Sequence, residues 1–355
     1  MPTSLTSRLT VDLDALVANW VALDALSPPE VETAAVVKGD GYGCGAAEVG
    51  RALARDGVET FFVAVPSEGA ALREAIGDDR AIYILGGYGA AEQLDYRLHD
   101  LRPVLNSAEQ ARAWFSNEGA PCAIQLDTGM NRLGMEPAEF AALGPLPDCV
   151  DLVMSHMGNA DDPPHPMNAH QLAAFNEMTA GLSTRLSLSA TAGALLGTEY
   201  HFDMVRPGIG LYGGWPFDAA RPVVRVESPI IQVRDVGAGE TVGYGATFTA
   251  ERPTRIATIS AGYADGLIRA LGQGASVYLD GAPLALAGRV SMDLITLDVT
   301  GRDCQAGDLV EIIGPHQSID DLARCAGTIG HEILTSLGRR YERDYGGGEV
   351  TDHHE

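Results

Sequence analysis

One lysine stands out among the residues of this chain that could do chemistry. The 355 residues include 24 lysines and arginines in total, and only Lys38 among them is a lysine. An average composition would supply roughly 20 lysines in a chain of this length. Arginine replaces lysine as a surface charge, but it does not act as a neutral amine that attacks a carbonyl group. The retained lysine therefore favours a chemical role, with chance survival in an arginine-rich composition as the alternative.

The surroundings of Lys38 favour the chemical role. The residue ends an apolar run, AAVVK, and a glycine-rich segment, GDGYGCG, follows it directly. Barrels of alternating strands and helices carry their catalytic groups at the carboxyl ends of buried strands. The segment lacks the G-x-G-x-x-G spacing of a dinucleotide-binding loop. We therefore expect an amine at the mouth of a barrel.

The bulk composition is that of a soluble enzyme with a strongly acidic surface. Hydrophobic residues make up 46% of the chain and charged residues 20%, with a net charge of −24. This charge argues against nucleic acid and anionic membranes as partners, and it reflects either a saline habitat or solubility. No apolar run reaches the length of a transmembrane helix, and the N-terminus lacks the apolar core of a signal peptide. Five scattered cysteines indicate neither a metal site nor a disulfide framework, so we expect a cytoplasmic protein.

The first two-thirds of the chain alternates between apolar runs and helical patterns. Asp12 is positioned to cap the first helix, and Ser67 and Ser107 mark the starts of two others. Eight such alternations predict an α/β fold, a parallel (β/α)₈ TIM-type barrel over residues 10–221, rather than a doubly wound sheet. The predicted strands are 34–38, 61–65, 82–86, 102–105, 122–126, 151–156, 186–189 and 203–206.

The pattern changes near Arg221 and Pro222. Short β-type runs at 223–226, 230–233, 255–259 and 276–279 follow, separated by glycine and proline. We therefore predict a mostly antiparallel C-terminal β domain over residues 222–355, with the N-terminal strand 1–9 packing on it. Within this domain we expect a hairpin turn at residues 280–281 and helices at 319–326 and 331–337.

Several motifs, in sequence order, resemble those of the alanine racemases, which use pyridoxal 5'-phosphate. The first is VVKGDGYGCG at residues 36–45, which carries Lys38. The remainder are DTGMNRLG (127–134), SH (155–156), VRPGIGLYG (205–213), VGYG (242–245), GYADG (262–266), GRVSMD (288–293) and RYERDY (340–345). The resemblance covers nearly the whole chain and implies a (β/α)₈ barrel followed by a β domain.

The resemblance implies two proton-transfer groups for the interconversion of L- and D-alanine. Lys38 would hold the cofactor through its amine and then act as a base on one face of the substrate Cα. Racemisation needs a second group on the opposite face, and the resemblance assigns that role to Tyr244. A tyrosine titrates near pH 10, so Tyr244 needs positive charge nearby to act at neutral pH. The implied source is a chain from Tyr244 through His156 to Arg206.

Arg206 is diagnostic of the reaction, since the resemblance places it at the pyridine nitrogen of the cofactor. Most pyridoxal enzymes have a carboxylate there, which keeps that nitrogen protonated. Arginine cannot accept the proton, so side reactions such as transamination should be suppressed. The alternatives are a surface ion pair for Arg206 and a core histidine for His156. A position at the end of a predicted strand favours function for His156.

The resemblance also implies the remaining contacts. The cofactor phosphate would lie on the backbone of Gly208 and Ile209 and on hydroxyl groups, where glycine lets the backbone approach an anion closely. The hydroxyl donors are Tyr42, Thr191 and Tyr345. Arg132 would contact the cofactor and the substrate carboxylate, and the other substrate contacts would be Met292, Tyr263 and Tyr345. Core packing is the alternative for Tyr263 and Met292.

The chain departs from the family pattern at four positions. Gln125 occupies the place where many members carry a carbamylated lysine, so a negative charge beside Arg132 is lost, and an anion such as chloride could replace it. Ala190 and Thr191 replace an Asn-Ser pair, which keeps the hydroxyl group and loses the amide. Ser291 replaces a cysteine before Met292. None of these changes removes a proton-transfer group.

The resemblance further implies a homodimer with shared active sites, in which the β domain of one subunit completes the barrel mouth of the other. The predicted role is the supply of D-alanine for peptidoglycan. A racemase of another or broader amino-acid range stays an alternative. Less favoured are a decarboxylase, a non-catalytic pyridoxal-phosphate carrier, which would lack the β domain that supplies Tyr244, and a structural barrel without cofactor.

Overall fold

The structure is a computed structural model that describes residues 5–117 and 119–346. The chain divides into two compact units. The barrel unit comprises Leu16–Tyr212 and Pro216–Ala220, and the β unit comprises the chain up to Ala15, Gly213–Trp215 and the described chain from Arg221 onward. Residues 1–4 of the predicted N-terminal strand and residues 347–355 of the predicted β domain lie outside the described residues.

The strands in the first 212 residues are short, and most residues of those that follow the first strand are buried. After β1 (Arg8–Asp12), they are β2 (Glu32–Thr33), β3 (Ala35–Val36), β4 (Thr60–Val63), β5 (Ala81–Ile84), β6 (Arg102–Leu105), β7 (Cys122–Gln125), β8 (Val150–Met154), β9 (Arg185–Ser187) and β10 (Met204–Val205). Strands β3 to β9 form one parallel sheet in sequence order, and β10 pairs in parallel with β2.

Backbone hydrogen bonds close this sheet into a barrel. The N–H groups of Ala34 and Val36 donate to the carbonyls of Val205 and Pro207 at 2.9 and 3.0 Å, which joins β2 and β3 to β10. On the other side of β10, the Arg206 N–H donates to the Ser189 carbonyl at 2.9 Å. Since β2 and β3 are consecutive parts of one strand, eight strand positions surround the core, and the predicted TIM-type barrel is confirmed.

Helices alternate with these strands. Asp12 caps the first helix as predicted, since its Oδ1 accepts the Ala15 N–H at 2.8 Å. The helices are α1 (Leu13–Asp24), α2 (Lys38–Tyr42), α3 (Ala46–Arg55), α4 (Pro66–Ile76), α5 (Gln93–Leu98), α6 (Ala108–Asn117), α7 (Pro137–Ala141), α8 (Pro166–Thr179) and α9 (Thr191–Ala194).

The β unit is built around one long strand. Its elements are β1, β11 (Val224–Val236), β12 (Thr241–Val242), β13 (Phe248–Thr249), β14 (Thr254–Ile259), β15 (Ser276–Leu279), β16 (Ala282–Ala285), β17 (Ile295–Asp298), β18 (Leu309–Ile313), α10 (Ile319–Ala326), α11 (Gly330–Ser336) and β19 (Glu342–Gly346). Strand β11 pairs antiparallel with β1, β14 and β18, and among the described strand pairs of this unit only β1–β19 is parallel.

The prediction of two separate strands at 223–226 and 230–233 was wrong, because β11 runs through both. Its register shifts between Val226 and Glu227 and again between Ile230 and Gln232, so the chain bends without ending the strand. Such bulges bend a strand, so that one strand can pair with neighbours that run in different directions. The proline that suggested a break, Pro229, lies opposite Leu309 within the paired region.

Within the described residues, no helix combines the length and the apolar character needed to span a bilayer.

Candidate functional site

The carboxyl ends of the barrel strands position most of the predicted site residues of the barrel unit. Lys38 lies two residues beyond β3, His156 lies two residues beyond β8, and Arg206 directly follows β10. In a barrel of parallel strands these ends open onto one mouth. The sequence therefore folds so that an amine, an imidazole and a guanidinium group face the same opening.

The backbone after Lys38 is left-handed. The φ angles are 64° at Gly39, 55° at Asp40, 62° at Gly41 and 54° at Tyr42. Glycine adopts this conformation freely, whereas each non-glycine residue costs about 1–2 kcal/mol there. Strained backbone of this kind is concentrated at functional sites. The glycine-rich segment thus turns the chain sharply beneath Lys38.

Glu68 fixes the position of this segment. Its Oε1 accepts the Gly39 N–H at 2.8 Å and its Oε2 accepts the Ala64 N–H at 2.8 Å, so one carboxylate joins the Lys38 turn to the end of β4. Desolvation and the charge of Arg132 lower the pKa of the Lys38 amine, and Glu68 opposes this shift. An amine with a lowered pKa is more often neutral and is then a nucleophile or base.

Arg206 is buried at 3% exposure, which excludes the surface ion pair considered above. Its guanidinium donates to the Ser155 carbonyl at 2.7 Å and to the Ser187 hydroxyl. Burial lowers the pKa of Arg206 to about 9, which still leaves it charged at neutral pH. The site therefore holds a fixed positive charge that can only donate hydrogen bonds.

His156 is neutral at physiological pH in this arrangement. Burial, followed by the charges of Arg206, Arg132 and Lys38, lowers the pKa of its imidazole to about 3. Arg206, Arg132 and Lys38 therefore lie close enough to His156 to disfavour its protonated form. A concentration of cationic groups at one mouth is suited to an anionic ligand.

Thr191, Gly208 and Tyr42 form a compact cradle. The Thr191 hydroxyl accepts the N–H groups of Gly208 and Gly210 at 3.0 and 3.3 Å. A Cβ added at Gly208 would overlap the Tyr42 hydroxyl. The Tyr42 ring stacks on Tyr212 with centroids 4.6 Å apart, and burial raises the Tyr42 pKa, so the hydroxyl stays protonated. Ile209 is buried beside this cradle at 4% exposure.

The loop that carries Arg132 is held by Asp127. Its Oδ1 accepts the N–H groups of Gly129 and Asn131 at 2.8 and 3.1 Å. Arg132 itself is exposed, while Gln125, the last residue of β7, is buried at 8% exposure. The Gln125 amide donates to the Leu126 carbonyl at 3.5 Å, which is a long contact for a hydrogen bond.

Three predicted residues of the β unit are exposed. Tyr244 is 75% exposed, Met292 is 53% exposed and Tyr263 is 43% exposed, which excludes core packing for the last two. The loops of Tyr263 and Met292 adjoin each other, since the Tyr263 N–H donates to the Ser291 carbonyl at 3.0 Å. Tyr345 is half-buried in β19, where it lies opposite Val11 of β1.

The structure thus groups the predicted residues within each unit. The barrel unit joins Lys38, Arg132, His156 and Arg206, and it forms the separate cradle described above. The β unit places Tyr263 beside Met292. Sequence reasoning missed Glu68, and its only signal was an acidic residue in the first turn of α4.

The comparisons with known proteins cover nearly the whole chain. The model of the alanine racemase N-terminal domain matches residues 11–216, and that of the C-terminal domain matches residues 223–345. An alanine racemase of Cereibacter sphaeroides is 53% identical over 344 residues, which are 96% of this chain and 98% of that protein. One from Jannaschia sp. is 54% identical over 340 residues, which are 95% and 98% of the two chains.

Solved structures of alanine racemases are also similar to this chain. Alanine racemase from Bartonella henselae, with covalently bound pyridoxal phosphate, has a TM-score of 0.91 and 38% identity, covering 96% of this chain and 100% of that one. Biosynthetic alanine racemase from Pseudomonas aeruginosa has a TM-score of 0.89 and 36% identity, covering 97% and 100%. The resemblance seen in the sequence motifs is confirmed. The chain belongs to the alanine racemase family.

Proposed function

We propose that this chain interconverts L- and D-alanine with pyridoxal 5'-phosphate as cofactor. The observation that carries the proposal is the only lysine of the chain, Lys38, at the barrel mouth with a lowered amine pKa, beside three other basic groups. Full-length relatives named alanine racemase support the same reaction. A racemase is an isomerase, and the reaction needs no other reactant.

The residues of the barrel unit fit the cofactor. Pyridoxal phosphate carries an aldehyde for an amine and a dianionic phosphate, and the mouth offers the amine of Lys38 among positive charges. The cradle at Gly208 has no room for a Cβ, as expected where a backbone must approach an anion closely. The barrel residues that would hold the phosphate are Tyr42, Thr191, Gly208 and Ile209, and the sequence resemblance adds Tyr345 of the β unit.

The bound cofactor would supply the conjugated ring that accepts the electron pair of the substrate Cα–H bond. Lys38 then accepts the Cα proton on one face, for which its lowered pKa prepares it. Tyr244 returns a proton on the other face, so that the configuration inverts. One turnover leaves Lys38 with one more proton and Tyr244 with one fewer. Proton exchange with solvent would restore both groups, so no net proton is consumed.

Arg206 and His156 set the electrostatics of the reaction. The buried Arg206 offers only hydrogen-bond donors, so it cannot stabilise a protonated ring nitrogen as a carboxylate would. Because His156 is neutral, it would transmit the Arg206 charge towards Tyr244 as a hydrogen-bonding group rather than as a second cation. Arg132 and the Met292 N–H would hold the substrate carboxylate, and Tyr263 and Tyr345 would limit the size of the side chain.

The working unit we propose is a homodimer in which Tyr244, Tyr263 and Met292 serve the partner's barrel. The support is that all three are exposed on the β unit, and Tyr244 is 75% exposed. Dilution that separates the subunits should abolish activity, and full activity of the monomer would refute the shared site.

We propose the cytoplasm as the location and peptidoglycan synthesis as the use of the D-alanine. The five cysteines are all free thiols, as expected in a reducing compartment. The biosynthetic enzyme from Pseudomonas aeruginosa is a close structural match. Deletion of the gene should then make growth depend on added D-alanine.

The reaction is tested by incubating the protein, with added pyridoxal phosphate, with L-alanine in D₂O. Nuclear magnetic resonance follows the Cα–H signal while a chiral assay follows D-alanine. Deuterium at Cα together with D-alanine establishes racemisation. Exchange that retains the L configuration would mean that the Tyr244 face is inactive. No exchange with alanine, but exchange with another amino acid in a panel, would favour a racemase of different range.

A further inference from the structure

Arg340 bridges two carboxylates of the β unit. Its Nε and Nη2 donate to the two oxygens of Asp265, each at 2.8 Å, and its Nη1 donates to Asp293 Oδ1 at 2.7 Å. Paired contacts from one guanidinium to one carboxylate fix both direction and distance. Asp265 follows Tyr263 by two residues, and Asp293 directly follows Met292. Arg340 therefore connects the two loops that present Tyr263 and Met292.

The Asp265 carboxylate depends on the Arg340 cation for its stability, because it is buried. The residue is buried at 5% exposure, and its Oδ2 also accepts the Gly262 N–H at 2.9 Å. A buried carboxylate that loses its cation is strongly destabilising. Its main-chain carbonyl accepts the Gly338 N–H at 3.0 Å, which joins the loop to the segment that carries Arg340. The fork from Arg340 thus holds a buried charge in place.

The loops meet with almost no space between their backbones. The Ala264 N–H donates to the Met292 carbonyl at 2.9 Å, and a Cβ on Gly262 would overlap that carbonyl. A Cβ on Gly266 would overlap the Ser336 carbonyl. A small displacement of one loop is therefore passed to the other, including the Met292 backbone.

We propose that Arg340 is a positioning residue for substrate binding: it fixes the Met292 N–H and Tyr263, and it neutralises the two carboxylates beside them. The inference rests on the proposed function, in which the Met292 N–H receives the substrate carboxylate. Without Arg340, the exposed Asp293 would present an unpaired negative charge one residue from that N–H. The substrate carboxylate would then be repelled by a like charge.

The consequence falls on binding rather than on proton transfer. Lys38 and Tyr244 keep their own chemistry when Arg340 changes, so kcat should stay within about threefold while the KM for alanine rises about tenfold. Substitution of Arg340 and substitution of Asp293 should therefore change the KM in opposite directions. Loss of the cation raises KM, whereas Asp293→Asn removes a negative charge and leaves the fork on Asp265 intact.

The experiment compares the holoenzyme with Arg340→Met, Arg340→Lys, Asp293→Asn and the double variant Arg340→Met/Asp293→Asn. Racemisation is measured in both directions, and hydrogen–deuterium exchange is followed over residues 262–266 and 291–293. Arg324→Met is the matched control, because Arg324 pairs with Asp321 on α10 of the same unit.

We expect Arg340→Met to raise KM about tenfold, Arg340→Lys to raise it less, and the double variant to recover about threefold of the loss. Exchange should quicken in both loops of Arg340→Met and stay unchanged in Arg324→Met. Asp293→Asn alone should not raise KM. If Arg340→Met does not fold, Arg340→Lys and Asp293→Asn still test whether loss of the cation and loss of the carboxylate change the KM in opposite directions.

An unchanged KM in folded Arg340→Met or Arg340→Lys would overturn the inference. So would a KM that Asp293→Asn raises as much as the Arg340 variants do, since that pattern belongs to a structural role without charge compensation. A wild-type protein that does not racemise alanine would refute the proposed function instead. The exchange measurement then still reports whether Arg340 holds the two loops.

Discussion

The barrel unit and the β unit hold their candidate site residues in contrasting ways. In the barrel, Arg206 is 3% exposed, donates to two serine residues and lies among other charged groups. In the β unit, Tyr244 is 75% exposed on a single 3-10 turn, Tyr244–Ala246. The barrel unit therefore holds the Arg206 cation in a buried position with fixed partners, whereas the β unit presents Tyr244 to solvent.

The contrast separates two tasks. A cofactor must be held in one orientation through every cycle, and buried side chains with fixed partners do this best. A group that only meets the substrate can be supplied from another surface, provided that this surface is itself firm. The fork of Arg340 on Asp265 makes the loops of the β unit firm although their side chains are exposed.

Removal of the amine should have the largest effect. Lys38→Ala is expected to lower racemisation by about 10⁴-fold or more, because both covalent attachment and one proton-transfer group are lost. Borohydride reduction followed by mass spectrometry should find a pyridoxyl group on the wild-type chain at Lys38 and none on the variant. Attachment that survives in Lys38→Ala would contradict the assignment.

Removal of the second proton-transfer group should lower racemisation nearly as much, but it should affect the proton exchange of the two enantiomers unequally. Tyr244→Phe is expected to lower racemisation by about 10³-fold while one enantiomer still exchanges its Cα proton through Lys38. Proton exchange of L- and D-alanine in D₂O measures the asymmetry. Tyr278→Phe is the control, since Tyr278 stacks on His316 elsewhere in the β unit. Equal loss of exchange for both enantiomers would count against a two-face mechanism.

Crowding of the cradle should weaken the cofactor without touching the proton-transfer groups. The added Cβ of Gly208→Ala overlaps the Tyr42 hydroxyl, and overpacking typically costs about 1–3 kcal/mol. We expect the Kd for pyridoxal phosphate to rise about tenfold in a fluorescence titration. Gly158→Ala is the control, because its Cβ would have neighbours at 3.8 Å. Unchanged affinity in Gly208→Ala would place the phosphate elsewhere.

The smallest effect concerns the stability of the cofactor-free protein. The folded-state pKa of His156, about 3, lies below its ordinary value of 6.5, so the unfolded chain binds the proton more readily. The contribution of His156 to the free energy of unfolding is therefore fully present above pH 6.5 and is lost as the pH drops towards 3. Between pH 7 and pH 5 the wild type should lose about 1 kcal/mol more than His156→Gln, allowing for solvent at the ring. Denaturant unfolding at both pH values checks this, and equal losses would contradict it.

The barrel was predictable because its strands are continuous apolar runs separated by helix signals. Asp12 and Ser107 marked helix starts correctly, since a capping side chain is a local signal. The predicted start at Ser67 was wrong, because α4 begins at Pro66 without a side-chain cap. Strand β11 was not predicted as one element, because bulges that bend a strand depend on the strands beside it. The prediction relied on local turn signals and therefore split it at Pro229.

Only those residues of the candidate site that lie in recognisable motifs could be predicted from the sequence. Lys38 could be singled out from composition, and the remaining predicted positions came from the resemblance. The partners that hold them were not predictable, because Glu68 and Arg340 act through distant parts of the chain. Glu68 bonds to Gly39, which is 29 residues away, and Arg340 bonds to Asp265, which is 75 residues away. The neutral state of His156 likewise depends on burial and on three charges from separate parts of the chain.

In the proposed homodimer, the barrel unit of one subunit and the β unit of the other make one site. The most direct test co-expresses Lys38→Ala and Tyr244→Phe chains with different affinity tags and isolates the mixed dimer. A shared site predicts about half of the wild-type activity, because one of the two sites then has both Lys38 and Tyr244 intact. Activity no higher than that of either variant alone would show that each subunit completes its own site, and would contradict the account.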